Sequence, residues 1–470
     1  MTKSRNIQTR VESDSMGEIE VPEDKLWGAQ TQRSLKYFSI GSEVMPIEII
    51  HSLAHIKKAC AQVNHKLGLL ESSKADLIQA VAEEIIQGKH DQQFPLHVWM
   101  TGSGTQSNMN VNEVISNRAC DLSDLPRGGR EPLHPNDHVN KSQSSNDVFP
   151  TAIHIAVSLE IRDRLLPATR SMSHVLRKQS AAWKDIVKLG RTHLQDAVPM
   201  TLGQEFGGYA SMLDNNIHRL EQCLEELSFL CLGGTAIGTG LNAPEGFDRR
   251  AIEVLSVQTG IAFQAAPDKF AAQGTHDALV AVSGHLKTLA NSLIKISNDI
   301  RLLACGPRAG FAELILPANE PGSSIMPGKV NPTQCEALTM VGIQVIANDT
   351  AVTIGNSSGM LEMNVYKPLI GYNLLQSSRI LSDSMQSFTE YCLKGIKPNH
   401  KQLQDLLNRS LMLVTALAPK IGYDQASKIA HHAHTNDLTL KQSALKLNAI
   451  CEAEYDDAMD PAKMARPHGK

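Results

Sequence analysis

Between Leu279 and Leu303, apolar side chains fall at Leu279, Val282, Leu286, Leu289, Leu293, Ile296, Ile300 and Leu303, in steps that alternate strictly between three and four residues. A second seam runs through Phe206, Tyr209, Leu213, Ile217, Leu220, Leu224, Leu227 and Leu230 with the same kind of step. Such spacing keeps one face of a 3.6-residue helix apolar from end to end, so each stretch predicts one long amphipathic helix. Two more long helices are expected over 147–184 and 332–354. Pro150 and Pro167 inside the first of these predict a start or a kink, because proline lacks the N–H the helix needs and its ring meets the carbonyl one turn back. Heptad-like seams bury best side by side at shallow angles, which points to a helix bundle. Helices of this length need several neighbours, so an obligate oligomer is expected.

Aromatic residues are only 4% and alternating β-branched runs are rare, which leaves little room for sheet. The fold class expected is mainly α. A chain of 470 residues suggests about three domains at ~100–200 residues each. The stretch 124–146 is rich in Pro, Gly, Asn, Asp and Ser, and a second break falls at Gly355–Gly359, followed by Pro368 and Gly371. The expected division is an N-terminal domain over 1–143, a central helical bundle over 144–368 and a C-terminal helical domain over 369–470.

The formal net charge of −4 gives none of the basic footprint of a nucleic-acid binder, so nucleic-acid binding is not expected. It does not exclude an anionic small substrate, because local donors outweigh net charge inside a cleft. Eight cysteines lie at 60, 120, 223, 231, 305, 335, 392 and 451 with no CxxC pair, which predicts reduced, mostly buried thiols and no zinc site. His431, His432 and His434 lie in a polar helical stretch and read as a solvated helix face. No run of ~18 apolar residues occurs, so no transmembrane helix and no membrane partner are expected. Lys3, Arg5 and Arg10 precede the first acid, Glu12, but carry no hydrophobic stripe. They read as a short disordered leader, and a cytoplasmic location is expected.

Four segments dense in hydroxyls, amides and glycines interrupt the helices. They are Thr101–Asn110 (TGSGTQSNMN), Ser142–Asp147 (SQSSND), Gly190–Asp196 (GRTHLQD) and Gly322–Pro332 (GSSIMPGKVNP). Ser, Thr and Asn offer neutral donors, and Gly lets backbone N–H groups approach a ligand. Each segment is expected to precede a helix, where free N–H groups and the dipole favour a carboxylate. A dicarboxylate needs two such anchors, and Lys329 adds a full positive charge. Structural alternatives stand beside this reading. Ser and Thr are common N-caps, Ser144–Asp147 has the look of a cap, and a lone His193 is often only hydrogen-bonded structure. The fourth segment combines Gly, Pro, Lys and Asn-Pro in a way that a plain loop rarely needs.

Gly322–Pro332 resembles the signature loop of the fumarase/aspartase superfamily. The segments around Ser103, Ser144, His193 and Gly234 (GGTAIGTGLNAP), the N-terminal SMGEIEVPEDKLWGAQTQRS and the C-terminal IGYDQASKIAHHAH resemble its other shared blocks, so the likeness covers the chain from about Arg10. Within the superfamily, the cofactor-free fumarases are favoured. Aspartate ammonia-lyases typically carry glutamine where this chain has His193, and they differ after the loop, where this chain reads Asn331-Pro332-Thr333-Gln334-Cys335-Glu336. Argininosuccinate and adenylosuccinate lyases are more distant across the N-terminal block.

The resemblance implies a fold and a chemistry. The fold is a three-domain homotetramer around a bundle of about twenty helices, with each active site built from three subunits. The reaction is the reversible hydration of fumarate to (S)-malate in the tricarboxylic acid cycle, through a carbanion of aci-carboxylate form. By resemblance Lys329 and Asn331 hold the substrate carboxylate, and Ser103, Gly104, Thr105, Ser144, Ser145, Asn146, Thr192, Ser324 and Val330 complete the pocket. Ser323 takes the carbon-bound proton. His193 is the acid/base for the water, and Glu336 fixes its tautomer. His134, Pro135, Asn136 and Asp137 resemble a second dicarboxylate site, although a Pro-initiated turn capped by Asn or Asp reads equally well there. No metal or redox cofactor is called for, and the cysteine spacing of iron–sulfur fumarases is missing. Rival readings are an aspartate ammonia-lyase or other fumarate-releasing lyase, a metal-dependent hydrolase using the histidines, and an inactive structural member of the superfamily. Retention of Ser323, Lys329, Asn331, His193 and Glu336 argues against the last.

Overall fold

A computed structural model describes residues 8–467. Lys3 and Arg5 of the expected leader lie outside the described residues. Arg10 does not belong to a leader. It sits in strand β1 (Thr9–Asp14), paired with β2 (Gly17–Pro22), and its guanidinium donates to the carbonyls of Pro22, Lys25 and Trp27 at 2.8–2.9 Å.

The fold is mainly α. In chain order the helices are α1 (Ala29–Tyr37), α2 (Ile47–Lys66), α3 (Ser72–Ile86), α4 (Thr105–Leu122), α5 (Ser145–Glu160) and α6 (Leu166–Ala182). A hairpin of β3 (Val187–Thr192) and β4 (Gln195–Thr201) follows, then α7 (Leu202–Leu227), α8 (Phe247–Thr259), α9 (Lys269–Gly274) and α10 (Asp277–Leu303). Then come α11 (Thr333–Ser357), α12 (Lys367–Tyr391), α13 (His400–Arg409), α14 (Ala418–Ile421), α15 (Tyr423–Thr435), α16 (Leu440–Lys446), α17 (Glu452–Ala458) and α18 (Pro461–Met464). Every sheet among the described residues has only two strands.

The chain forms two compact units. One gathers Met1–Pro167, His218–Thr288 and Ile343–Ser382, and the other gathers Ala168–Ile217, Leu289–Gly342 and Asp383–Lys470. Each collects separate stretches of sequence, a division of a different kind from consecutive segments at 143 and 368.

All eight seam residues of α10 are buried. A leucine hidden this way contributes ~1.5–3 kcal/mol, so the seam is a main source of cohesion. In α7 Phe206, Tyr209, Leu213, Leu220 and Leu227 are buried, while Ile217 and Leu224 are half-buried. Leu230 is buried too, but beyond the helix, where Phe229–Leu230 pairs in parallel with Gln264–Ala265. Pro150 lies in the second turn of α5 without breaking it, while the turn before Pro167 widens into a π-helical segment at Ile161–Leu165. That bulge reconciles the helix with a proline that cannot accept a regular turn behind it.

The break expected near Gly355–Gly359 is present: α11 runs to Ser357, with Gly355 in its last turn against Tyr366, Leu369 and Ile370, and Gly359 lies in the connection to α12. Pro368 and Gly371 follow that break but lie inside α12 without interrupting it. Pro368 occupies the first turn of α12, where its missing N–H is not needed. A Cβ on Gly371 would stand 2.9 Å from Ile49, so this glycine sets how closely α12 approaches α2. Finally, α11 is long and apolar enough to cross a membrane, with mean hydropathy 1.3 over its best window, only 33% of it buried. Scattered polar residues hide it from a search for an unbroken apolar run. Asp349 accepts from Ser283 and Lys287, and Asn348 donates to Ser377, so the helix is anchored by buried polar contacts inside a globular unit.

All eight cysteines are free, and six are buried. In the second unit, Leu189 of β3 packs with Leu407, Leu417, Ile429, Ala433, Leu440 and Ala444 of the C-terminal helices. His431 and His434 are exposed on α15, and His432 pairs with Ser443, as a solvated helix face implies.

Candidate active site

Two helix N-termini meet in the first unit. Gly104, at φ +78°, precedes α4 and cannot carry a side chain, because a Cβ would fall 2.2 Å from the Phe149 ring. Gly102 is equally constrained, since its Cβ would overlap the carbonyl oxygen of Val365. These glycines press the first polar segment onto its neighbours. Ser144 caps α5: Asn146 N donates to Ser144 Oγ (3.2 Å), and Ser144 N donates to Asp147 Oδ1 (2.9 Å). The first residues of the two helices, Thr105 and Ser145, are joined hydroxyl to hydroxyl at 2.7 Å, and Ser103 continues the chain to Thr105 at 2.8 Å. Both dipoles therefore point their positive ends at one hydroxyl cluster, which suits a carboxylate.

Asp147 braces the cluster from beneath. It is fully buried, and its Oδ2 accepts from Gly233 N (2.8 Å) and Thr235 N (3.0 Å). Burial pushes its carboxyl up to about 6, against these backbone donors, which pull it down. Asn146 donates to Ala236 O at 2.8 Å. The GGTAIGTG block is thereby tied to the second polar segment. Of the expected substrate residues, the structure thus brings together Ser103, Gly104, Thr105, Ser144, Ser145 and Asn146. Asp147 is not among the expected substrate residues, and the local signal for its role is the Ser-x-x-Asp capping pattern it completes with Ser144.

The second unit carries the other candidates. The third polar segment does not precede a helix: it is the tip of the β3–β4 hairpin, with Thr192 and Gln195 closing it. His193 (φ +57°) and Leu194 (φ +60°) form a two-residue turn with both centres left-handed, as a type I′ turn requires. His193 is exposed and lines a cavity of about 350 Å³ with Arg191, Leu194, Lys295 and Asp299. The hairpin stands on buried ion pairs. Lys188 reaches Glu205 (2.7 Å) and Glu313 (2.8 Å), and Arg191 reaches Glu313 (2.6 Å) while stacking on Phe311.

The fourth segment is an exposed loop closed on itself. Gly322 N donates to Lys329 O (3.0 Å), and Asn331 Nδ2 donates to Gly322 O (2.6 Å). Asn331 thus spends one amide proton on loop closure and keeps one. Ser323 Oγ accepts from the N–H groups of Ile325 (3.3 Å) and Met326 (3.0 Å). Ser324, Lys329 and Val330 are exposed, and Glu336 is exposed in the first turn of α11. Among the described residues no hydrogen bond joins His193 to Glu336 or to Ser323.

His134 caps a short π-helical turn, Pro135–Val139. Its Nδ1 accepts from Asn136 N (3.2 Å) and Asp137 N (3.1 Å), so the cap is the histidine, not Asn or Asp. His134, Pro135 and Asn136 line a cavity of about 340 Å³ with Arg130, Glu113 and Asn117. Among the described residues no group of three or more His, Cys, Asp or Glu could hold a metal.

Comparison with known proteins gives these features a context. Residues 17–347 match the lyase family, and residues 413–466 match the fumarase C C-terminus family. A protein of Thermosynechococcus vestitus named fumarate hydratase class II is 57% identical, over 95% of this chain and 96% of its own. The chain belongs to the class II fumarate hydratase family. Another member, from Brucella suis, is 55% identical over 98% of this chain and 99% of its own. The crystal structure of a class II fumarase from Schistosoma mansoni superposes with a TM-score of 0.96 at 44% identity, covering 98% of this chain and 100% of that one. The hydroxyl cluster, the His193 hairpin and the Gly322–Pro332 loop thus lie in a class II fumarate hydratase fold.

Proposed function

We infer that the protein is a hydro-lyase that reversibly adds water to fumarate to give (S)-malate, a step of the tricarboxylic acid cycle. The observation that carries this reading is the pair of helix N-termini joined at Thr105 and Ser145, in a chain 57% identical to a fumarate hydratase along nearly its whole length. From malate to fumarate, Ser323 as its alkoxide removes the proton from the carbon next to a carboxylate, and two N–H groups at its Oγ stabilise that alkoxide. Charge then builds on the aci-carboxylate oxygens. Lys329, the remaining Asn331 proton and the helix N-termini hold it more tightly than they hold the substrate's own charge, which is what accelerates the step. His193 protonates the departing hydroxyl, and Glu336 orients its ring. Fumarate's ultraviolet absorbance should fall on addition of the protein, with chelator present and with no new absorbance from aspartate. A flat fumarate trace with absorbance appearing from aspartate would make it an ammonia-lyase.

The assembly proposed is a homotetramer whose sites draw on three subunits. Two features support it: the candidate residues are dispersed, and α11 exposes Met340 (65%), Ile343 (58%) and Ile354 (59%). An apolar helix this exposed needs covering. Sedimentation should give the mass of four chains, and Ile343→Asp should shift it downward together with activity. A fully active monomer would overturn the composite site. Eight unpaired thiols suit a reducing compartment, which supports a cytoplasmic location.

A further inference from the structure

Lys57 lies on α2 and is completely buried, yet its ammonium meets no carboxylate at hydrogen-bond distance among the described residues. Its three protons go to three neutral amide oxygens: Asn108 Oδ1 (2.6 Å), Asn140 Oδ1 (2.9 Å) and Gln143 Oε1 (2.9 Å). Those partners belong to the candidate site's supports. Asn108 is in the first turn of α4, with its N–H on Gly104 O (3.1 Å), and Gln143 is the residue before the α5 cap Ser144. Asn140 closes the turn that begins at His134 and donates to Gln143 O (3.2 Å). A buried cation whose hydrogen bonds all go to neutral dipoles is costly, and a chain keeps one where anions offset it; Asp147 acts on it through space, without a hydrogen bond, and supplies one such charge at most. The hydroxyl cluster itself is neutral, whereas the substrate inferred above is a dianion.

We propose that Lys57 is a positioning residue for the dicarboxylate: its ammonium fixes the first turn of α4 and the approach to α5 in one register, and supplies the full positive charge that the hydroxyl cluster lacks. This rests on the function inferred above. Burial lowers the ammonium to about 7, so it is charged below neutrality and loses its charge above. The titratable groups that reach it are Asp147 from α5 and Cys60 on α2 itself; from α4 and the 140–143 turn it meets only amides. Burial pushes the Cys60 thiol far up, so it stays neutral, and Asp147 titrates near 6, below the window that matters. The sign follows from linkage. A dianion favours the charged ammonium, so binding takes up a proton above pH about 7 and affinity falls as pH rises through that value.

The test uses the whole protein and succinate, a dicarboxylate that cannot be hydrated. Calorimetry at pH 8 in two buffers of different ionisation enthalpy should show proton uptake on succinate binding, in the wild type and in His193→Asn, where the imidazole cannot contribute. Lys57→Met should weaken succinate and raise the fumarate KM at pH 6.5 by about tenfold or more, with a smaller fall in kcat, and should abolish the rise of KM with pH. Lys57→Arg should restore part of the affinity. Binding with no proton uptake, or a Lys57→Met variant whose KM follows pH as the wild type does, would overturn the proposal while leaving the hydratase reading intact. A wild type inert towards fumarate would instead remove the reading on which it rests. Should Lys57→Met fail to fold, the wild-type and His193→Asn calorimetry decides alone.

Discussion

Exchanging His193 for asparagine is expected to lower fumarate turnover by about 10²–10⁴-fold, the range typical for loss of a positioned acid/base, while the assembly and its thermal stability persist. The fold itself predicts this separation of chemistry from stability. His193 is exposed at a hairpin tip, and its imidazole makes no hydrogen bond among the described residues. Its backbone sits at φ +57°, a conformation asparagine adopts more readily than most residues, so the replacement does not disturb the turn. Ser323→Ala should fall comparably, since it removes the oxygen that Ile325 and Met326 hold. Absorbance assays beside thermal melts would decide. Near-wild-type turnover in either variant would remove that residue from the mechanism.

How much of this was legible follows from the range of each signal. The α10 seam could be read residue by residue, because burial on one helix face imposes its period directly on the sequence. The α5 start was legible for a similar local reason, because the hydroxyl cap Ser144 announces a helix N-terminus, whereas α4 starts after a left-handed glycine, Gly104, with no side-chain cap. The hairpin bearing His193 was not. A turn with two left-handed residues usually advertises itself with Asn-Gly, and here the positions are His and Leu, so nothing in the letters separates it from a helix approach. Gly371 misled in the opposite way, since a glycine that makes room for Ile49 looks the same as one that ends a helix. Lys57 was invisible as well. Its importance lies in partners 51, 83 and 86 residues away, and no local pattern encodes them. The candidate residues were found by family resemblance, and the geometry adds what supports them.

The support beneath His193 yields the second large effect. Glu313→Gln is expected to destabilise the protein by ~3–5 kcal/mol, the usual consequence of breaking a buried ion pair by removing one charge. Glu313 is fully buried between Lys188, also buried, and Arg191, so the glutamine would keep the shape, leave Lys188 with Glu205 alone and take the carboxylate away from Arg191. Both cations are on β3, just ahead of the tip, so the hairpin that carries His193 should loosen and kcat should fall with stability. Thermal and urea unfolding would measure the first effect, and the absorbance assay the second. A merely local packing role makes a different forecast for the double variant. If the charges matter, Glu313→Gln with Lys188→Met should recover much of the lost stability, because removing the unpaired ammonium removes the penalty. If the double variant is instead as unstable as the sum of the two single changes, the network acts through shape, and the charge argument fails.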